Sequence, residues 1–141
     1  QTIDAVKRLY ELSGVDVGAH LMLGLPDETQ DELVEMASVV NGLPLSNVKL
    51  HNLHVLKDTP LETMFQQNEL TPVTLEQYCN KAIVFLRHLS QNVCVHRLTA
   101  VASRWDELVA PQWSRQKMLP VQYILDEMKH RDVWQGDLVG K

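Results

Sequence analysis

Cysteine is scarce in this sequence. Among 141 residues only Cys79 and Cys94 carry a thiol, each set among apolar neighbours rather than in a paired framework. That excludes a disulfide scaffold and favours a reducing, cytoplasmic setting. No apolar run approaches the roughly 20 residues needed to span a bilayer. No charged start with an apolar stretch and a small-residue cleavage site is present either, so neither membrane nor export is expected. Lysines and arginines do not cluster, and a formal charge of -5 gives no electrostatic reason to expect a nucleic-acid partner. A phosphate-loop lysine, a G-x-G-x-x-G run, Ser-His-Asp spacing and a nucleophile elbow are all missing, which leaves the catalytic residues unknown. There is no internal repeat, low-complexity stretch or linker. An initiator methionine is lacking too: Gln1 opens directly onto a helical pattern, as expected of a chain cut from something longer.

What is present is an ordinary globular composition, 45% hydrophobic and 22% charged, at the usual size of one domain. Ile3, Val6, Leu9 and Leu12 recur at helical spacing, with Gly14 as a natural stop. The nearly uncharged run toward Leu23 predicts a strand over 15–23 buried on both faces, turned by Gly24 and Pro26. Thr29 with Glu32 offers a capping box for a helix with Leu33, Met36, Ala37 and Val40 inward, ending near Gly42. A second strand is predicted over 48–55. Pro60 opens a short helix, Thr74 with Gln77 caps a long one, and a third strand follows over 93–99. A short helix over 105–109, a tryptophan-bearing loop at 111–113, a last helix over 120–131 and an irregular tail complete the chain. Alternation of helix and strand at this spacing implies a parallel α/β fold with right-handed crossovers.

The segment HLMLGLPDET joins a strand to a capped helix through Gly24. Ligand sites in parallel α/β folds lie at the carboxyl ends of strands, so this turn suits one; the bland reading is a tight turn alone. His51 and His54, three apart on one strand, point to opposite faces and share no metal unless the strand is broken. No metal site is predicted from His20, His51, His54 and His96. Arg97 is suited to clamping a carboxylate or phosphate, its alternative being an ion pair with a terminal helix. Trp105, Trp113 and Trp134 read as anchors for the terminal segment, and His88, with Gln77 and Lys81, as the outer face of the long helix.

Taken in order, HLMLGLPDET, VKLHNLHVLKDTPL, VHRLTA, LVAPQWSRQK and RDVWQG resemble the second half of YhcC-type radical S-adenosylmethionine (radical-SAM) proteins, relatives of the elongator catalytic subunit. The resemblance implies an α/β fold: the C-terminal portion of a partial (β/α)6 TIM-like barrel over residues 1–100, with a helical C-terminal extension over 101–141 packed on it. The strand ending at Gly24 corresponds to the family's fifth and 48–55 to its sixth. By position, Met22, Gly24, Leu53 and His54 would line the adenine of S-adenosylmethionine, with His51 and Arg97 as substrate-facing candidates. His20, Met22 and Asp27 stand where the family's loose pattern has glycine, isoleucine and glutamate. Ala100 and Val101 replace the end of its R-L-T-G-D segment.

The implied activity of the intact protein is that of an iron-sulfur oxidoreductase cleaving S-adenosylmethionine reductively to a 5'-deoxyadenosyl radical. Its [4Fe-4S] cluster would sit in an N-terminal part absent from this chain, because two scattered cysteines cannot supply the three clustered thiolates. The remainder of that barrel is the expected partner, the substrate is unknown, and the fragment alone is expected to be inactive. The alternative is a non-enzymatic α/β binding or interaction module.

Overall fold

The computed structural model describes residues 2–12, 14–102 and 104–140. Helix α1 (Thr2–Glu11) leads to strand β1 (Gly18–Leu23), helix α2 (Gln30–Asn41), strand β2 (Asn47–Asn52) and the short strand β3 (Val55–Leu56). Helices α3 (Pro60–Gln66) and α4 (Leu75–His88) precede strand β4 (Cys94–Arg97), strand β5 (Leu108–Ala110) and helix α5 (Leu119–His130). Single 3-10 turns occupy Trp105–Glu107 and Gln112–Arg115. No helix among the described residues is long and apolar enough to cross a membrane.

The strands β1, β2 and β4 form a parallel sheet in the order β1-β2-β4. Both expected capping boxes are present: Thr29 with Glu32 starts α2, and Thr74 with Gln77 starts α4, each threonine accepting from the third helical amide while that residue's side chain accepts from the threonine amide. These reciprocal bonds satisfy donors that a helix start leaves orphaned. The apolar stripes then lie on one side of the sheet. Leu33, Ala37 and Val40 of α2 and Tyr78, Ala82, Phe85 and Leu86 of α4 meet Leu23, Val48 and Leu50 in one core, which also takes Ile124 of α5.

The opposite face of β1 is uncovered among the described residues. Its burial alternates, with Gly18, His20 and Met22 exposed, so the expectation of a strand buried on both faces is corrected: β1 is an edge strand packed on one side only. Helix α1 shows a similar departure. Of its expected inner face only Val6 is buried, while Ile3, Leu9 and Leu12 stay exposed.

The second predicted strand is broken. β2 ends at Asn52, Leu53 and His54 leave the sheet, and Val55 and Leu56 pair antiparallel with Ala110 and Leu108 of β5. The residues expected as a helix over 105–109 thus form one 3-10 turn and then β5, because their backbone partners lie on β3 rather than within a helix. Around this second sheet Val55, Leu70 and Ala110 make a small separate core. The tail is irregular in shape but held: the Gly136 and Leu138 amides donate to carbonyls of Leu86 and Arg87, and Arg87 pairs with Asp137 at 2.9 Å. Of the three tryptophans only Trp113 is an anchor, its indole N–H donating to the Val73 carbonyl at 3.0 Å and its ring packing against Tyr78. Trp105 and Trp134 are more than half exposed, at 62% and 55%, which corrects their assignment as anchors.

Candidate cofactor wall at the strand ends

Parallel pairing sets Met22 beside His51 and Leu23 beside Asn52, so β1 and β2 finish level with one another. Alternation assigns the two pairs opposite roles. Leu23 and Asn52 are fully buried beneath the sheet, whereas Met22, 42% exposed, and half-buried His51 lie on the uncovered face. Gly24 follows at once. Its φ of +79° is one an L side chain rarely adopts, and an added Cβ would stand 2.8 Å from a methyl of Val73. The turn therefore needs glycine for its own packing, whatever it also does for a ligand.

Glu28 holds that turn shut. The Gly24 amide donates to its carboxylate at 2.8 Å, and Lys81 of α4 lies 3.3 Å from the same oxygen while also donating to the Glu28 carbonyl. The family resemblance sets Asp27 at the glutamate position instead, but Asp27 is exposed in the turn at φ +58°. Lys81, expected on the solvated face of its helix, is turned inward to an ion pair whose carboxylate is only 5% exposed. His88 is likewise half-buried, with Nδ1 2.9 Å from the Val84 carbonyl.

At the end of β2, Asn52 and His54 grip one residue of the loop after β4. The Ala100 amide donates to Asn52 Oδ1 at 3.0 Å, and His54 Nε2 lies 3.2 Å from the Ala100 carbonyl. A nitrogen meeting a carbonyl must carry the proton, so His54 is the Nε2–H tautomer. By the same reasoning Nδ1 of His51, 2.8 Å from the Asn52 carbonyl, carries a proton. The break after Asn52 overturns the expectation that His51 and His54 point apart: their rings meet edge to face with centroids 5.2 Å apart. Burial, then the neighbouring His51 charge and the Arg97 charge, lower the His54 pKa, against the Ala100 hydrogen bond that raises it. Each ring keeps one nitrogen that makes no backbone bond, and in the neutral state that nitrogen is an acceptor.

Asn52 is the residue that sequence reasoning missed, and an amide at a buried position of an apolar strand was the available signal. Arg97 pairs with Lys49 of β2, and its charge reaches His54 on the rim. It lines a cavity formed with the first turn of α5, and its ion pair with a terminal helix is not found among the described residues. Met22, Gly24, Leu53, His54 and His51 share the rim made by the ends of β1 and β2.

The two thiols do not suit a cluster. Cys79 is buried within α4, where desolvation pushes its pKa up to about 11, and Cys94 opens β4 at the opposite end of the sheet from this rim. No group of three or more His, Cys, Asp and Glu among the described residues is placed to hold a metal ion.

The chain is similar to three curated proteins over 134 residues, or 95% of its length: MJ0486 of Methanocaldococcus jannaschii at 31% identity, YtqA of Bacillus subtilis at 28% and YhcC of Escherichia coli at 30%. It spans only 41% to 43% of their lengths. Among solved structures, the archaeal Methanocaldococcus infernus Elp3 lacking residues 1–46 matches 95% of this chain and 31% of its own, with a TM-score of 0.69 at 20% identity, a likeness of fold. The family described as the Radical_SAM C-terminal domain matches residues 45–130, which covers every element from β2 to the end of α5. With more than half of its length matched and the parallel α/β fold shared, the chain belongs to the radical-SAM C-terminal domain family.

Proposed function

We propose that this chain is one wall of a radical-SAM barrel, with β1 and β2 its last two barrel strands and residues 101–141 an extension clasped onto it. On this reading the rim of Met22, Gly24, Leu53 and His54 receives the adenine of S-adenosylmethionine. The observation that carries it is the level ending of β1 and β2, with exposed Met22 beside half-buried His51 on the uncovered face and the chain leaving the sheet directly after Asn52. Ligands of parallel α/β folds bind beyond the carboxyl ends of strands.

The residues fit an adenosyl group and do not fit the cluster. Met22 offers a polarizable surface for a flat ring. Leu53 and His54, outside both sheets, offer main-chain polar groups without competition from a strand ladder. The cluster, whose chemistry in the superfamily is one-electron reduction of S-adenosylmethionine, would be held by other parts of a longer protein. The work of this chain is to position the cofactor and to exclude water from it. Gly24, fixed by Glu28 and Lys81, and His54, fixed on Ala100, keep the rim rigid. His51, with Nε2 left as an acceptor, is the candidate to face substrate.

The test uses the full-length protein, reconstituted anaerobically with iron and sulfide and supplied with a reductant. It should release 5'-deoxyadenosine from S-adenosylmethionine. Met22→Glu, at an exposed position, should raise the KM for S-adenosylmethionine about tenfold while stability changes by no more than about 0.5 kcal/mol. Absence of 5'-deoxyadenosine from reconstituted protein would overturn the reading in favour of a non-enzymatic binding module.

A further inference from the structure

A second concavity lies beside the free edge of β4. Residues Val95 to Thr99, Val101 and the start of α5 at Lys117, Met118 and Val121 enclose about 570 Å³. That is within the range of roughly 300–1,000 Å³ usual for small-molecule sites. Its walls are divided by chemistry. Val95, Leu98, Val101, Met118 and Val121 supply an apolar interior, His96 and Thr99 polar edges and Arg97 and Lys117 positive charge, and no carboxylate lines it among the described residues.

In a chain of net charge -5, two cations gathered without a counter-charge are notable for what they lack. Lys117 is exposed, and Arg97 has no carboxylate at ion-pair distance among the described residues. Its Nε is buried without a hydrogen-bond partner. A guanidinium nitrogen out of water and unbonded is costly, and an oxygen anion is the acceptor whose geometry it matches. The helix that borders the cavity adds to the same field. Where α2, α3 and α4 have threonine caps, α5 starts at Met118 with no side-chain hydrogen bond to its first turn.

We propose that this cavity binds a small amphipathic acid, with its anionic oxygens on Arg97 and Lys117 and its apolar body among the five aliphatic and thioether side chains. Carboxylates and phosphate monoesters share that chemistry. The proposal does not rest on the S-adenosylmethionine rim, since different residues line each, although the Arg97 charge reaches His54.

Amide spectra of the chain titrated with hexanoate, hexyl phosphate, 1-hexanol and inorganic phosphate test this. The two amphipathic acids should bind saturably, about tenfold more tightly than hexanol or inorganic phosphate. Their shifts should be confined to 95–101 and 117–121, and the tighter of the two identifies the head group. Arg97→Gln should abolish the preference for the acids over hexanol. Should that variant melt early, Lys117→Gln at an exposed position should reduce acid affinity severalfold with melting unchanged. Absence of saturable binding, hexanol binding as tightly as hexanoate, or a folded Lys117→Gln with undiminished acid affinity would each overturn the proposal.

Discussion

His54 carries more of the rim than its position in the sequence shows. Its Nε2–H holds the Ala100 carbonyl, and burial keeps the ring neutral by lowering its pKa below the ordinary value of 6.5. Protons then bind the unfolded chain more readily than the folded one between those two values. Stability from this residue is complete above about pH 6.5 and falls as pH drops from there toward the lowered folded pKa. Chemical denaturation across pH 5 to 8 should show that slope, and His54→Gln should flatten it; an unchanged slope in the variant would assign the pH dependence elsewhere. Glu28 offers a second residue-scale test. Lys81→Met leaves a carboxylate that is 5% exposed without its cation, and urea denaturation should register a loss of about 2–3 kcal/mol. A loss below about 0.5 kcal/mol would mean that Gly24 is held by its own turn alone.

At the scale of elements, what the sequence announced was local. Threonine caps three residues ahead of Glu or Gln, helical apolar spacing and proline starts are written within a few residues of one another, and α2, α3 and α4 follow them. Thr74→Ala should therefore cost about 1 kcal/mol in the denaturation midpoint analysis, because α4 packs on α2, α5 and β1 and its loss cannot be absorbed locally. What could not be read was decided at long range. The run VKLHNLHV looks like one strand, yet Asn52 and His54 bond to Ala100, 48 and 46 residues away, and Val55 belongs to another sheet. That break brings the two imidazoles together, an outcome closed to any argument from a continuous strand. The choice of Glu28 over Asp27 has a similar origin, since Lys81 on a distant helix determines which carboxylate turns inward. Burial of β1 failed for a different reason: a run of apolar residues does not reveal whether both faces will be covered.

For the whole molecule, one parallel sheet with helices on one side leaves an uncovered face and a rim of strand ends, and that asymmetry connects fold to function. Met22, Gly24, Leu53 and His54, which the family resemblance assigns to the adenine of a cofactor, share that rim. The direct measurement is titration of the isotopically labelled chain with S-adenosylmethionine at millimolar concentration, where weak binding is expected without the cluster. The account predicts saturable amide shifts concentrated at Met22 to Gly24 and Asn52 to His54, with the affinity weakened about tenfold by Met22→Glu in a protein of unchanged melting temperature. Shifts confined to other surfaces, or none at saturating ligand, would contradict it.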